Sequence, residues 1–462
     1  MKLSWLPDSY MAAVSITDDP DNSSFSRFKA IYDFLMEINF PITRAMWVYP
    51  KTEYTGTPPL KIDFTAPLLS DPECLQYCKK LQSKGFEICL HGASCGNNNR
   101  KRTLEALNFL EEHIEPSPVF ICHSKNAENL YWDANTANLP VEKMLLQLYT
   151  KNRCFGEVPD SQYFWGDICR EKINFIRLYR TRSVNTLAFN PSMPYHEFSK
   201  PLVNYWFSAT KGYIPNLFSE TNLDELCKQN GASILYQYMH RYVNDDLTLS
   251  RQIRETMERV AADNRILKKP TSFILNRLKA FQNILTVKHH EHIYLINTSE
   301  EPVESVKVYL ERTDDFHSEN EFLLDKNNKM VIFPRIDSLS IVRFKTSDRV
   351  LKNKLQMKLQ ENFGILKLPK ATVYINLSGK EAFLNLSSQQ QKKIKASGVF
   401  VKYRDPEAER LKILNEISLK EIYRLKAGQF LILLREHLFL GRKISTRNYL
   451  DDPGKIENIS NW

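Results

Sequence analysis

Apolar runs and helical patterns alternate along the first half of the chain. Met11–Thr17 (MAAVSIT), Ile42–Tyr49, Phe86–His91, Val119–Ser124 and, later, Ser233–His240 are short apolar stretches of the kind that form buried strands. Between them, Phe25–Glu37, Asp71–Ser83 and Arg100–His113 carry helical spacing. This alternation predicts a mostly parallel sheet covered by helices. Ionisable residues close the runs: Asp18 and Asp19, then His91, His123 and His240. In a β/α barrel or open α/β sheet, the C-terminal ends of the strands are where a site forms.

The texture changes after two more helical stretches, Leu249–Ala262 and Pro270–Ile284. Short runs with period-two character follow at His292–Asn297, Val303–Leu310, Met330–Phe333 and Ile341–Phe344, separated by turn residues such as Asn297-Thr298-Ser299 and Asp325-Lys326-Asn327-Asn328. They predict a small antiparallel, sandwich-like domain. From about residue 347 the pattern is mixed and rich in Lys and Arg. The expected organisation is therefore an α/β domain over 1–286, a β domain over 287–346 and a basic α+β region over 347–462, within a total of 462 residues.

The formal net charge is +9, and the excess gathers late, in Gln389–Lys402 and Arg404–Arg424. Such stretches suit either a solvated face or an anionic partner, such as a membrane surface or glycan carrier. The sequence carries no phosphate-cradling glycine loop and no Ser-centred nucleophile elbow, and specific nucleic-acid binding is not expected. The eight cysteines all precede residue 228. With no secretory pattern at the N-terminus and no apolar run long enough for a membrane helix, they read as reduced packing thiols in a cytoplasmic protein. The His289, His290 and His292 group at the domain boundary reads as a surface turn.

Two adjacent carboxylates at a strand end repel each other, and a divalent cation resolves the conflict. The residues around them carry a resemblance. Ser15-Ile16-Thr17-Asp18-Asp19-Pro20-Asp21, Gly85-Phe86-Glu87-Ile88-Cys89-Leu90-His91 and Ile234-Leu235-Tyr236-Gln237-Tyr238-Met239-His240 resemble three motifs of the polysaccharide deacetylases of the NodB-homology type, carbohydrate esterase family four. Tyr163–Ile168 and Asn190–Tyr195 are similar to an uncharacterised branch of that superfamily, the WbmS-like proteins. The resemblance spans roughly residues 8–285 and implies a distorted (β/α) barrel. It implies Asp18 as catalytic base, Asp19 and His91 as ligands of a divalent metal, and His240 as general acid. A mixed Asp/His set suits zinc.

Two departures from the family pattern stand out. Cys95 occupies the place of the second motif's other histidine, and His123-Ser124-Lys125-Asn126 replaces an Arg-x-Pro motif. The third metal ligand is then either His123 or Cys95. Asn99, Arg100, Asn126 and Asn129 are candidates for substrate hydrogen bonds, and Trp132 and Trp165 for stacking on a sugar. The function so implied is a metal-dependent hydrolase that removes an N-acetyl group from a sugar in a surface-polysaccharide or glycan precursor. The precursor would be nucleotide- or lipid-linked. The alternative is an impaired barrel that binds glycans or serves as a scaffold in polysaccharide biosynthesis.

Overall fold

A computed structural model of the chain describes residues 2–51, 66–123, 126–132, 135, 154–190, 193–196, 200–289, 292–297, 299, 301–313, 316–318, 320–338, 340–346, 371–375 and 399–403. Two compact units divide between Leu275 and Asn276, and the N-terminal ten residues belong with the later chain. The reason is strand β1 (Lys2–Ser4), which pairs antiparallel with a strand beyond residue 300.

The larger unit is a distorted (β/α) barrel. Its parallel strands are β2 (Ala12–Asp18), β3 (Thr43–Met46), β4 (Glu87–Leu90), β5 (Val119–Phe120), β6 (Phe175–Thr181), β7 (Tyr205–Lys211) and β8 (Ala232–Gln237). They join in that order, and β8 returns to β2 to close a ring. The distortion lies at β2. One edge pairs with β8 from Ala13 to Asp18, while the other is shared: Ala12–Val14 pair with β9 (Ile266–Lys268), and Thr17–Asp18 with β3. Every residue of β2 is buried, as the near-continuous apolar run required.

Helices follow the strands as the periodicity predicted. Helix α1 (Phe25–Glu37) buries Phe28, Ile31, Tyr32, Phe34 and Leu35 on one face, and the Ser24 side chain caps its start by accepting from the Arg27 amide. Helices α2 (Pro72–Ser83) and α3 (Arg100–His113) begin at Asp71 and Asn99. Strand β5 is shorter than the apolar run around it, so His123 stands three residues past its end. His240 likewise lies beyond β8, in a 3₁₀ turn at Met239–Tyr242.

The second unit holds two four-stranded antiparallel sheets. β1, β12 (Val303–Tyr309), β15 (Met330–Ile336) and β14 (Leu323–Asp325) form one; β10 (Ile284–His289), β11 (His292–Asn297), β16 (Ile341–Lys345) and β13 (His317–Ser318) form the other. Val306, Val308, Val331 and Phe333 share one apolar core with Ile293, Leu295, Val342 and Phe344, which makes the unit a small sandwich. His289 and His292 pair in backbone register across the β10–β11 hairpin, and His290 lies outside the described residues. Of the basic region after residue 346, a parallel pair is described, β17 (Ala371–Ile375) with β18 (Val399–Tyr403); the remainder lies outside the described residues. No described helix is long and apolar enough to cross a membrane.

Candidate metal centre

The C-terminal ends of β2, β4, β5 and β8 bring the predicted residues to one rim of the barrel. Asp18 is the last residue of β2, and Asp19 and Asp21 follow it. His91 follows β4 directly. Gly92 comes next, with a φ of +121° that allows the chain to turn away at once.

Among the described residues, Asp21, His91 and His123 form a cluster able to hold a metal ion, their ligand atoms all within 4.8 Å of one another. Asp21 Oδ1 stands 3.3 Å from His91 Nε2, and Asp21 Oδ2 stands 3.9 Å from His123 Nε2. Two ligands of a tetrahedral zinc with arms of about 2.0–2.2 Å lie about 3.3–3.5 Å apart, so the first spacing already fits and the second is close. The ring orientations fit as well. His91 Nδ1 lies 2.6 Å from the Ile121 carbonyl, which can only accept, so Nδ1 carries a proton and Nε2 is the ring atom turned towards Asp21. His123 Nδ1 lies 2.9 Å from Asn126 Oδ1. Among the described residues, the buried His91 Nε2 and Asp21 Oδ1 have no hydrogen-bond partner outside their own 3.3 Å contact. Burial pushes the Asp21 carboxyl up, but the His91 and His123 imidazoles outweigh it and hold it at about 2. Burial lowers His123, which favours its neutral imidazole. Trp47 packs against both rings, at centroid distances of 5.6 Å and 5.3 Å.

The sequence reading left Asp21 without a role, although it stands in the same Asp-Asp-Pro-Asp stretch. The other two acids have different partners. Asp18 is wholly buried. Its Oδ2 accepts from Arg44 Nη1 at 2.6 Å and from the Tyr32 hydroxyl at 3.0 Å, and its Oδ1 from the Met239 amide at 2.7 Å. Burial raises the Asp18 carboxyl, against the pull of Arg44. Asp19 faces Arg177 of β6, which reaches both carboxylate oxygens at 3.4 Å, and it lies 3.9 Å from His91 Nε2. Arg177 is itself buried, with its guanidinium 4.2 Å from the centre of the Tyr236 ring. Tyr236 and Tyr238 join hydroxyls at 2.5 Å, and Tyr238 reaches Asp21 at 3.4 Å.

His240 is buried, and its Nδ1 has no hydrogen-bond partner among the described residues. Burial, with Arg44, Arg241 and Arg27 nearby, lowers its pKa to about 4. Cys95 is buried too and is not part of the Asp/His/His cluster.

The structure gives the proposed sugar contacts other work. Trp165 is fully buried; its ring meets Phe120 at 5.1 Å and its indole N–H donates to the Glu128 carbonyl at 2.6 Å, so it offers no face to a sugar. Trp132 is core. Arg100 forms a fork with Asp167 at 2.6 and 2.7 Å, and Asn99 caps α3 through the Arg102 amide. Asn129 donates to the His123 carbonyl at 2.6 Å, which shapes the ligand loop itself. Asn126 does the same through His123 Nδ1. Buried Glu128, which the sequence reading passed over, accepts from the Asn98 amide, Asn98 Nδ2 and Asn126 Nδ2 at 3.0, 2.6 and 2.9 Å. Burial raises its carboxyl to about 7.

No family profile and no curated protein matches the sequence. Solved structures do. A protein from Mycobacterium smegmatis assigned as a polysaccharide deacetylase matches with a TM-score of 0.35 and 12% identity over 60% of this chain and 93% of its own. The allantoinase Puue matches with a TM-score of 0.36 and 10% identity over 61% of this chain and 94% of its own. The carbohydrate deacetylase Agd3 matches with a TM-score of 0.35 and 11% identity over 73% of this chain and 65% of its own.

Proposed function

We propose that the barrel is a metal-dependent hydrolase that removes an acetyl group from the nitrogen of an amino sugar in a glycan or glycan precursor. The observation that carries this reading is the convergence of Asp21, His91 and His123. Three distant parts of the chain bring a carboxylate and two imidazoles to one spot, and among the described residues the buried Asp21 Oδ1 and His91 Nε2 have no polar partner for hydrogen bonding beyond this cluster. Such burial costs about 1–3 kcal/mol per polar group unless a ligand satisfies it. Asp21, His91 and His123 would hold the metal, with zinc the ion that best suits a mixed Asp/His set. When bound, such an ion lowers the pKa of water and polarises a carbonyl oxygen.

The remaining roles follow from the contacts. Asp19, oriented by Arg177 and beside the ligand set, takes the proton from the attacking water. Asp18 has all its close contacts filled by Arg44, Tyr32 and the Met239 amide, so it positions rather than reacts. Its hold on Met239 fixes the turn that carries His240. With a pKa near 4, His240 is neutral at neutral pH. It takes a proton from solvent and passes it to the departing amine, while Asp19 returns the water's proton to solvent after product leaves.

Acetate release from N-acetylhexosamine oligosaccharides and nucleotide-linked N-acetyl sugars tests this reading. Activity is expected with added zinc, is expected to vanish with a chelator and to return when zinc is restored. A zinc-loaded protein that binds these glycans and releases no acetate would instead favour the glycan-binding alternative.

A further inference from the structure

The contacts behind His123 form a chain that the proposed chemistry leaves unused. Asn126 Oδ1 lies 2.9 Å from His123 Nδ1. The other end of the same amide, Nδ2, lies 2.8 Å from the Gly96 carbonyl and 2.9 Å from Glu128 Oε1. A carbonyl can only accept, so the nitrogen of Asn126 must face Gly96 and its oxygen must face His123. Glu128 holds that amide from behind and takes two more donors from Asn98. Asn126 and Glu128 are both 1% exposed, so water does not compete for these bonds.

The geometry points to Glu128 and Asn126 as positioning residues that fix His123 in its Nδ1–H tautomer, so that Nε2 presents a lone pair toward Asp21 and His91. The inference rests on the metal-binding reading above for its purpose, but the tautomer itself exists without any ion. His91 reaches the same tautomer through a backbone carbonyl, a partner that no side-chain substitution removes. His123 depends on a side chain, and that makes its orientation testable.

The experiment records two-bond ¹H–¹⁵N correlations of the histidine rings in chelator-treated protein. It also measures zinc affinity by competition with a chromogenic chelator. In the unsubstituted protein His123 is expected as the pure Nδ1–H tautomer. Asn126→Leu is expected to mix the tautomers and weaken zinc about 10–100-fold, the usual cost of losing a partner behind a metal ligand. Asn126→Asp keeps an oxygen toward His123 and is expected to retain the tautomer, but to weaken zinc because its second oxygen meets the Gly96 carbonyl and Glu128 Oε1. Glu128→Gln turns one acceptor into a donor facing donors and is expected to weaken zinc about 10-fold. An unchanged tautomer in both Asn126→Leu and Glu128→Gln overturns the inference, whatever the zinc affinity. If Asn126→Leu fails to fold, Glu128→Gln and Asn126→Asp decide it. If the unsubstituted protein binds no zinc, the metal reading fails, and the ring correlations alone still judge the chain behind His123.

Discussion

Arg44→Met should separate a positioning role for Asp18 from a reactive one. Arg44 and Asp18 form an ion pair at 2.6 Å with side-chain exposures of 1% and 0%. The guanidinium also donates to the Asp19 carbonyl at 3.2 Å and lies 4.7 Å from the centre of the Phe28 ring. Met keeps most of the packing volume and removes the charge. Asp18 is then left buried with only the Tyr32 hydroxyl and the Met239 amide. Breaking a buried pair from one side costs about 3–5 kcal/mol. At a urea m-value of about 3 kcal/mol/M, that moves the unfolding midpoint down by about 1–1.7 M.

The pH dependence has a definite sign. Burial already raises the Asp18 carboxyl against Arg44's opposing pull, and without Arg44 it rises further. The folded state then binds a proton more readily than the unfolded chain, so the deficit of the variant shrinks as pH falls from neutral towards 5. Asp18→Asn/Arg44→Met removes the stranded charge while keeping an acceptor for the Met239 amide, and most of the lost stability should return. Urea melts followed by tryptophan fluorescence suffice, because Trp47, Trp132, Trp165 and Trp206 are all buried in the barrel unit. Arg44→Met within about 1 kcal/mol of the parent, a typical exposed pair, would refute the argument. So would a double variant no more stable than the single one.

Other expectations concern the rim and its support. Asp19→Asn should retain zinc and lose about 10²–10⁴-fold in acetate release, the usual contribution of a general base; full activity would remove Asp19 from the chemistry. His240, held near 4, is neutral in the fold and charges on unfolding between about pH 4 and its unfolded value of about 6.5. Its contribution to stability is complete above that window and is lost as pH falls through it, so His240→Gln should flatten the decline seen in urea melts between pH 6.5 and 4.5. Gly156→Ala should unfold or severely destabilise the protein in the same melts, because the new Cβ would meet the Glu128 carbonyl oxygen at 2.1 Å, and backbone cannot rotate aside. A soluble, parent-like Gly156→Ala would show that the loop carrying Glu128 is loosely held.

The helices were legible because their apolar faces repeat cleanly. Phe25–Glu37 and Arg100–His113 fold over the bounds their periodicity predicts. Strands β6 and β7 were not legible. FIRLYRT and YWFSATK place Arg177, Thr181, Ser208 and Thr210 among the buried positions, which breaks the apolar run that marks a barrel strand. The same break hid Arg177, the partner of Asp19. Arg44 was hidden the opposite way, as a lone charge inside the apolar run Ile42–Tyr49, where a buried cation itself signals a buried anion. Asp21 was obscured by Pro20: the acids on either side of it look alike in sequence, and only the turn after β2 decides which one faces His91 and His123. Trp165 illustrates the general limit. An aromatic residue between polar neighbours suits a sugar platform and a core equally well, and the hydrogen bond from its indole to Glu128 exists only once the loops have folded.

The most direct measurement is a crystal structure of zinc-loaded protein with anomalous data on both sides of the zinc edge. A single peak bounded by Asp21, His91 and His123, absent in Asp21→Ala, is the expected result. A peak elsewhere, or none at that rim in protein shown to carry zinc, would contradict the metal centre and the hydrolase built on it.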